Sequence, residues 1–256
     1  TRAFRINSRK IEDKYKFNRE SSIYEIIVRS SNVGSARLAL MVGKKGLKEI
    51  FSKLGLLEPV RMELREANTT RPILPKNWRD ITLATVSYGY GMSVSLLHLA
   101  KAYAILGNGG FEIEPTILKK NDNSQSGPRV LKKTTSDEIL KLLEAVVTDQ
   151  RGTAKILRSK YYRIGGKTGT AEKISLETRG YQKDKVVANF VGLFPLQEPR
   201  FVIAAFLDEP ENNLLQEPCR YASCTVVPMV KKLIERTGPL MNVTPDHQAL
   251  TFYRGL

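Results

Sequence analysis

Hydrophobic residues in the first part of the chain recur every three to four positions, which is the spacing of amphipathic helices. These stretches end where glycine, proline or short polar runs interrupt the pattern. The predicted helices are a stretch over 22–43 with a break at 30–32, a short helix over 47–54, a helix over 93–106, and one that starts at the capping-box pair Thr135 and Glu138. The segments 1–21 and 57–75 lack this spacing and are predicted to be irregular.

Further along the chain the hydrophobic pattern changes to that of β-strands. Three stretches rich in β-branched and aromatic residues, 161–170, 186–193 and 200–207, are separated by turn-forming or charged segments. A last helix is predicted over 226–236. Helices first, then three successive antiparallel strands and a closing helix, indicate an α+β fold and not repeated βαβ units.

The chain is strongly basic, with a formal net charge of +15. Such an excess attracts nucleic acid, anionic lipid or an acidic wall polymer, and it is also typical of a solvated basic surface. The basic residues occur singly or in pairs, without the interleaved aromatic side chains that stack bases. Charge alone therefore does not choose the partner, and nucleic acid is not expected.

The cysteines and the apolar runs exclude some classes of protein. Cys219 and Cys224 lie far in sequence from His98 and His247, so the chain lacks the ligand spacing of a zinc site. A disulfide between the two cysteines and two free thiols are both open. No apolar run reaches the roughly 20 residues that a membrane-spanning helix needs. No metal or organic cofactor is expected.

The first candidate for chemistry is the run Gly-Gly-Lys-Thr-Gly-Thr at residues 165–170. Side chains alternate along a strand, so Lys167 and Gly169 share one face while Thr168 and Thr170 share the other. A ligand carboxylate would find a cation and two hydroxyl donors, and Gly169 leaves room for another group beside the backbone. The alternative to a binding site is that this run is merely the start of a strand, weakened by its glycines. A P-loop is excluded, because no glycine precedes the Gly-Lys pair at the required spacing.

The second candidate is the sequence Ser-Ser-Asn at residues 30–32, between two predicted helices. Ser30 and Asn32 form a Ser-x-Asn motif, and motifs of this kind occur in the acyl-serine penicillin-recognising enzymes. Helix capping is the alternative, because serine and asparagine are preferred N-cap residues and Asn32 could simply start the next helix.

Taken in order, with their flanks, these segments resemble class B penicillin-binding proteins, and more closely the cell-division type. The resemblance covers about 22–236 of the chain. The segments that carry it are 27–34, the Ser-Tyr-Gly-Tyr-Gly stretch at 87–91, 97–110, 162–172 and 188–195. The stretch at 87–91 favours the division-type enzyme over the elongation-type one.

The resemblance implies a peptidoglycan D,D-transpeptidase that cross-links stem peptides and is a target of β-lactams. Ser30 would relay a proton to the leaving amine, and Asn32 would hold the substrate amide. Lys167 would bind the terminal carboxylate and tune Ser30. Thr168 and Thr170 would donate to that carboxylate, and the Thr170 backbone N–H would be an oxyanion-hole donor. Gly169 completes this substrate- and β-lactam-binding strand.

The resemblance also implies partners and a location. The expected partners are stem peptides, β-lactams and membrane proteins of the division complex. The expected location is the periplasmic face of the inner membrane, with a membrane anchor that is not in this sequence.

The nucleophile of the family is expected upstream of Ser-x-Asn, in a Ser-x-x-Lys motif. No serine in this sequence is followed three positions later by lysine, and only 29 residues precede Ser30. We therefore expect a partial transpeptidase domain over 1–256, in which the nucleophile motif is missing through truncation and not through mutation. Within it we expect an irregular segment at 1–21 and a tail at 237–256. Such a chain would be inactive alone and would leave the strand at 200–207 with an unpaired edge. The alternative is a non-catalytic module that binds stem peptides or division partners.

Two further segments depart from the pattern of the family. The family's Thr-Pro-Leu-Gln reads Ser-Leu-Leu-His at residues 95–98, and His98 is expected to be a helix-surface or packing residue and not a catalytic one. The Gly-rich segment usually found after the last strand reads Arg-Tyr-Ala-Ser at residues 220–223, near the expected rim of the active site.

Overall fold

The computed structural model describes residues 4–6, 9–14, 20–119, 127–175, 180–212 and 218–246. The chain forms two compact units, Thr1–Ile139 and Leu140–Leu256. Helices together with an antiparallel sheet confirm the predicted α+β fold. No helix in these described ranges is long and apolar enough to cross a membrane.

The first unit is mainly helical. Its elements are β1 (Phe4–Ile6), β2 (Arg9–Ile11), α1 (Ile23–Val28), α2 (Asn32–Lys53), α3 (Arg65–Thr69), α4 (Asp80–Val86) and α5 (Leu96–Gly107), followed by the start of α6 (Lys133–Thr148). Ser22 and Glu25 form a capping box at the start of α1. The predicted end at Gly43 is a kink inside α2, where glycine adopts φ 74°. His98 is buried and contacts Ser95 and the Glu58 carbonyl, which confirms a packing role.

Several features of the first unit differ from the sequence prediction. The segment 1–21 contains an antiparallel hairpin, β1 with β2, because Ile11 is buried in a cluster with Val33 and Ala36. Strands of three residues are too short to show an alternating pattern. The helices α3 and α4 were not predicted, and α6 begins at Lys133, ahead of the predicted capping box.

The second unit is built around a three-stranded antiparallel sheet in the order β3-β4-β5. Its elements are the end of α6, β3 (Gly165–Ile174), β4 (Tyr181–Phe194), β5 (Phe201–Asp208) and α7 (Val226–Leu240). The three strands and the last helix confirm the predicted order. α7 continues to Leu240, into the predicted tail, and the rest of that tail from residue 247 lies outside the described residues. β5 lies at the edge of the sheet, paired with β4 in the described part of the chain.

The core of this sheet depends on two glycines that lie opposite each other. Gly166 on β3 pairs with Gly192 on β4, and a Cβ atom at either position would collide with the ring of Phe190. The ring of Phe190 is fully buried. Gly166, which belongs to the glycine-rich start of the strand, and Gly192 on the neighbouring strand therefore make room for the buried ring of Phe190.

A disulfide joins Cys219 and Cys224 in the segment between β5 and α7. This settles the choice that the sequence left open between a bridge and two free thiols. The bridge closes a loop with a sequence separation of 5 residues.

Candidate active site

The candidate binding strand is β3, held in register by β4. Lys167 lies opposite Val191, and Gly169 lies opposite Asn189. A Cβ atom at Gly169 would collide with the side chain of Asn189. The group that approaches the backbone at Gly169 is therefore the Asn189 amide of the neighbouring strand, and the space does not need a ligand to explain it.

Lys167 is partly buried, and its Nζ donates a hydrogen bond to the Thr168 carbonyl oxygen at 3.0 Å. Loss of hydration on burial disfavours the charged form and lowers the pKa of Lys167 to about 8. At neutral pH the ammonium group is mostly protonated, yet it lies close to its titration range. A bound carboxylate would stabilise the charged form, so this lysine is suited to anion binding.

The two threonine hydroxyls of β3 are already placed by other parts of the second unit. The Thr168 hydroxyl is 2.7 Å from that of Thr153, and the Thr170 hydroxyl accepts the N–H of Ala222 at 3.1 Å. A hydroxyl that accepts a hydrogen bond keeps its own hydrogen to donate. Thr170 can therefore donate to a ligand while Ala222 fixes its oxygen, and Thr168 can do so when Thr153 acts as the donor.

An ion pair anchors the chain just before β3. Arg163 donates through Nε to one Glu144 carboxylate oxygen at 2.7 Å and through Nη2 to the other at 2.8 Å. Two parallel hydrogen bonds of this kind fix direction as well as distance. The entry of β3 is therefore tied to the end of α6.

The Ser-Ser-Asn segment lies in the first unit, between α1 and α2. Ser30 is exposed and has φ 56°, a left-handed backbone conformation that is rare outside glycine. Ser31 is the N-cap of α2, with its Oγ accepting the Gly34 N–H at 2.9 Å. The capping alternative thus holds for Ser31, and Asn32 is the first residue of α2, with its Nδ2 3.4 Å from the Glu12 carbonyl oxygen.

Asp13 braces this segment and was missed by the sequence reasoning. Its carboxylate accepts the Ser31 hydroxyl at 2.8 Å and the Val33 N–H at 2.9 Å. Because these bonds hold the first turn of α2, they also set the backbone of the flanking Ser30 and Asn32. In the sequence, Asp13 is simply an acidic residue two positions after Ile11, in a stretch predicted to be irregular, so nothing there indicated this role.

The predicted site residues therefore fall into two groups. Lys167, Thr168, Gly169 and Thr170 lie together on β3 of the second unit, and Ser30 and Asn32 lie together at the start of α2 in the first. Thr153, Ala222 and Asp13 support these groups, and no motif in the sequence pointed to them.

A Ser-x-Asn turn ahead of a helix, and a Lys-Thr-Gly-Thr strand in an α+β fold, define the class of acyl-serine penicillin-recognising proteins. Residues 3–234 match the family described as the penicillin binding protein transpeptidase domain, and the chain belongs to this family.

Named relatives agree with that membership. The chain is 33% identical to the probable peptidoglycan D,D-transpeptidase FtsI of Caulobacter vibrioides, over 97% of this chain and 43% of that protein. It therefore spans less than half the length of this relative. The transpeptidase domain of Burkholderia pseudomallei penicillin-binding protein 3 is similar in structure, with a TM-score of 0.84, 33% identity, and coverage of 95% of this chain and 71% of the other. Penicillin-binding protein 3 of Mycobacterium tuberculosis, solved in complex with aztreonam, has a TM-score of 0.78 and 25% identity, with coverage of 95% and 57%.

Proposed function

We propose that this chain is the C-terminal part of the transpeptidase domain of a peptidoglycan D,D-transpeptidase. The observation that carries the proposal is β3, where a desolvated lysine and two oriented hydroxyls follow one another on a strand. The substrate would be a stem peptide ending in D-Ala-D-Ala, and β-lactams would occupy the same place.

In the proposed reaction a serine oxygen attacks the carbonyl carbon between the two D-alanines. The C–N bond breaks, the leaving D-alanine takes a proton, and an amine of a neighbouring stem then displaces the serine. Lys167, Thr168 and Thr170 would bind the terminal carboxylate, and the Thr170 N–H would stabilise the oxyanion, which is worth about 3–4 kcal/mol in other hydrolases. Ser30 would relay the proton, and Asn32 would hold the substrate amide.

The attacking serine is proposed to lie outside this sequence. No Ser-x-x-Lys is present in the 256 residues, so this chain alone would bind ligands without forming an acyl-enzyme. The same fact favours a second candidate, a non-catalytic module that binds stem peptides or division partners. A Ser-x-x-Lys in the coding sequence upstream would decide for the enzyme.

The biological setting is proposed from the relatives. A cell-division role at the septum follows from the resemblance of residues 87–91 to division-type enzymes and from the similarity to a protein named FtsI. The working site would then be the periplasmic face of the inner membrane, with membrane proteins of the division complex as partners.

Carboxylate binding by Lys167 can be tested by its pH dependence. The affinity for a peptide ending in D-Ala-D-Ala is expected to be highest below pH 8 and to fall as the pH rises through about 8, because Lys167 loses its proton there. Lys167→Gln should weaken binding about 10- to 100-fold at neutral pH and abolish this pH dependence, since a hydrogen bond to a charged group contributes about 1.5–3 kcal/mol. NMR titration across that pH range measures both effects.

The matched control is Lys173→Gln on the same strand. Lys173 is paired with Asp208 at 3.0 Å and Glu209 at 2.8 Å, and these carboxylates raise its pKa. Its loss should leave both the affinity and the pH profile unchanged. Equal effects of the two substitutions would show that Lys167 has no special role.

A further inference from the structure

The loop closed by the Cys219–Cys224 disulfide contains the group that holds the Thr170 hydroxyl. Ala222 lies inside the loop, is buried, and donates its N–H to Thr170 Oγ1 at 3.1 Å. Its carbonyl oxygen accepts the Val227 N–H at 2.9 Å, at the start of α7. Ala222 is therefore a link between the candidate binding strand and the loop, and the position of this link depends on how firmly the loop is held.

The ends of the loop are fastened at one place. Asn212 forms a two-residue bridge with Cys219, with N···O distances of 2.9 and 3.3 Å, and its side-chain Nδ2 donates to the Cys224 carbonyl oxygen at 2.9 Å. The disulfide joins the same two cysteines covalently. Without it, partly buried backbone and side-chain hydrogen bonds remain, and water can compete with them when the loop opens.

We infer that the Cys219–Cys224 disulfide positions the Thr170 hydroxyl through Ala222, so that a dithiol reductant weakens binding of a terminal carboxylate at β3. Thr170 needs its oxygen held by the Ala222 N–H to point its own hydrogen at a ligand. When the loop loosens, this hydroxyl is free to rotate or to bond to water. The ligand part of the inference rests on the proposed function.

The disulfide is within reach of a reductant. Both cysteines are partly exposed, and Cys224 lines an open cavity of about 650 Å³ together with Asn212 and Thr225. A thiolate of the dithiol attacks one cysteine sulfur and releases the other as a thiolate. The second thiol then displaces the bound cysteine, leaving two reduced cysteines and an oxidised, cyclic dithiol.

The test compares the chain before and after reduction with dithiothreitol, and complete reduction is checked by the mass gain of two hydrogens. Reduction is expected to raise amide hydrogen exchange at Ala222 about tenfold or more, since the local opening becomes easier. The affinity for a peptide ending in D-Ala-D-Ala should fall roughly three- to tenfold, as for the loss of one oriented hydrogen bond. In the Thr170→Val chain, reduction should leave the affinity for the peptide unchanged, which separates lost positioning of the hydroxyl from general loosening.

Two variants make the result specific. Cys219→Ser with Cys224→Ser should reproduce the reduced protein and show no further response to dithiothreitol. Thr170→Val removes the acceptor of the Ala222 N–H and should raise exchange at Ala222 even in the oxidised chain. Unchanged exchange at Ala222 on complete reduction would overturn the inference, and so would equal affinity of both forms for the carboxylate peptide. If neither form binds the peptide, the proposed function fails, and the exchange at Ala222 still decides the coupling of the disulfide to Thr170.

Discussion

Replacing Phe190 with alanine is expected to lower the free energy of unfolding by about 3–5 kcal/mol. The ring of Phe190 is fully buried and fills the space above Gly166 and Gly192, where a Cβ atom has no room. Alanine leaves a cavity that these two glycines cannot fill, because they have no side chains to rearrange. Denaturant unfolding followed by circular dichroism measures the loss.

Phe206 provides the matched control. It lies on β5, opposite Asn189, and 50% of it is exposed. Phe206→Ala should cost less than about 1 kcal/mol, because the exposed part of the ring gains little from folding. A loss at Phe206 as large as the one at Phe190 would contradict the different burial of the two rings.

Replacing Arg163 with methionine is expected to cost about 3 kcal/mol, because it leaves the Glu144 carboxylate without its two-point partner. The Glu144 side chain is only 11% exposed, against 32% for Arg163, so water solvates the orphaned carboxylate poorly. Since Arg163 lies two residues before the start of β3, the change should also weaken ligand binding at Lys167.

A double substitution separates two contributions to the loss of stability: the absence of the ion pair itself, and the presence of a buried Glu144 charge without a partner. Arg163→Met combined with Glu144→Leu should recover most of the stability, since replacing both members of a buried pair by apolar residues is often nearly neutral. Lys53→Met breaks the exposed pair with Glu49 on α2 and should cost less than about 1 kcal/mol. If the double variant is no more stable than Arg163→Met, the charge of Glu144 is not the source of the loss.

The order of elements could be predicted because local patterns determine it. The three strands are rich in β-branched and aromatic residues, which favour strands wherever they pack. The helices α1, α5 and α7 have clear apolar stripes. The hairpin β1–β2 could not be predicted, because its strands have three residues each and its stability comes from Ile11 packing on α2. The capping-box pair Thr135 and Glu138 predicted a later start of α6, but the helix already includes Lys133 and Thr134.

The candidate site shows the same division between local and long-range information. Lys167, Thr168 and Thr170 could be predicted to share one strand because their motif is contiguous in the sequence. Thr153 and Ala222 could not be predicted, because they are distant in sequence from the hydroxyls that they hold, at separations of 15 and 52 residues. The group that lies beside Gly169 could not be named for the same reason, since the neighbouring Asn189 is set by strand register, which one strand alone does not specify.

We propose that this chain has the binding strand of a transpeptidase but not its nucleophile. Intact-mass spectrometry of the purified chain after incubation with a penicillin tests it most directly. The expected result is a mass equal to that of the untreated chain, because no serine here has the Ser-x-x-Lys context that activates it. A stable gain of one penicillin would contradict the claim, because it would require an activated serine within these 256 residues.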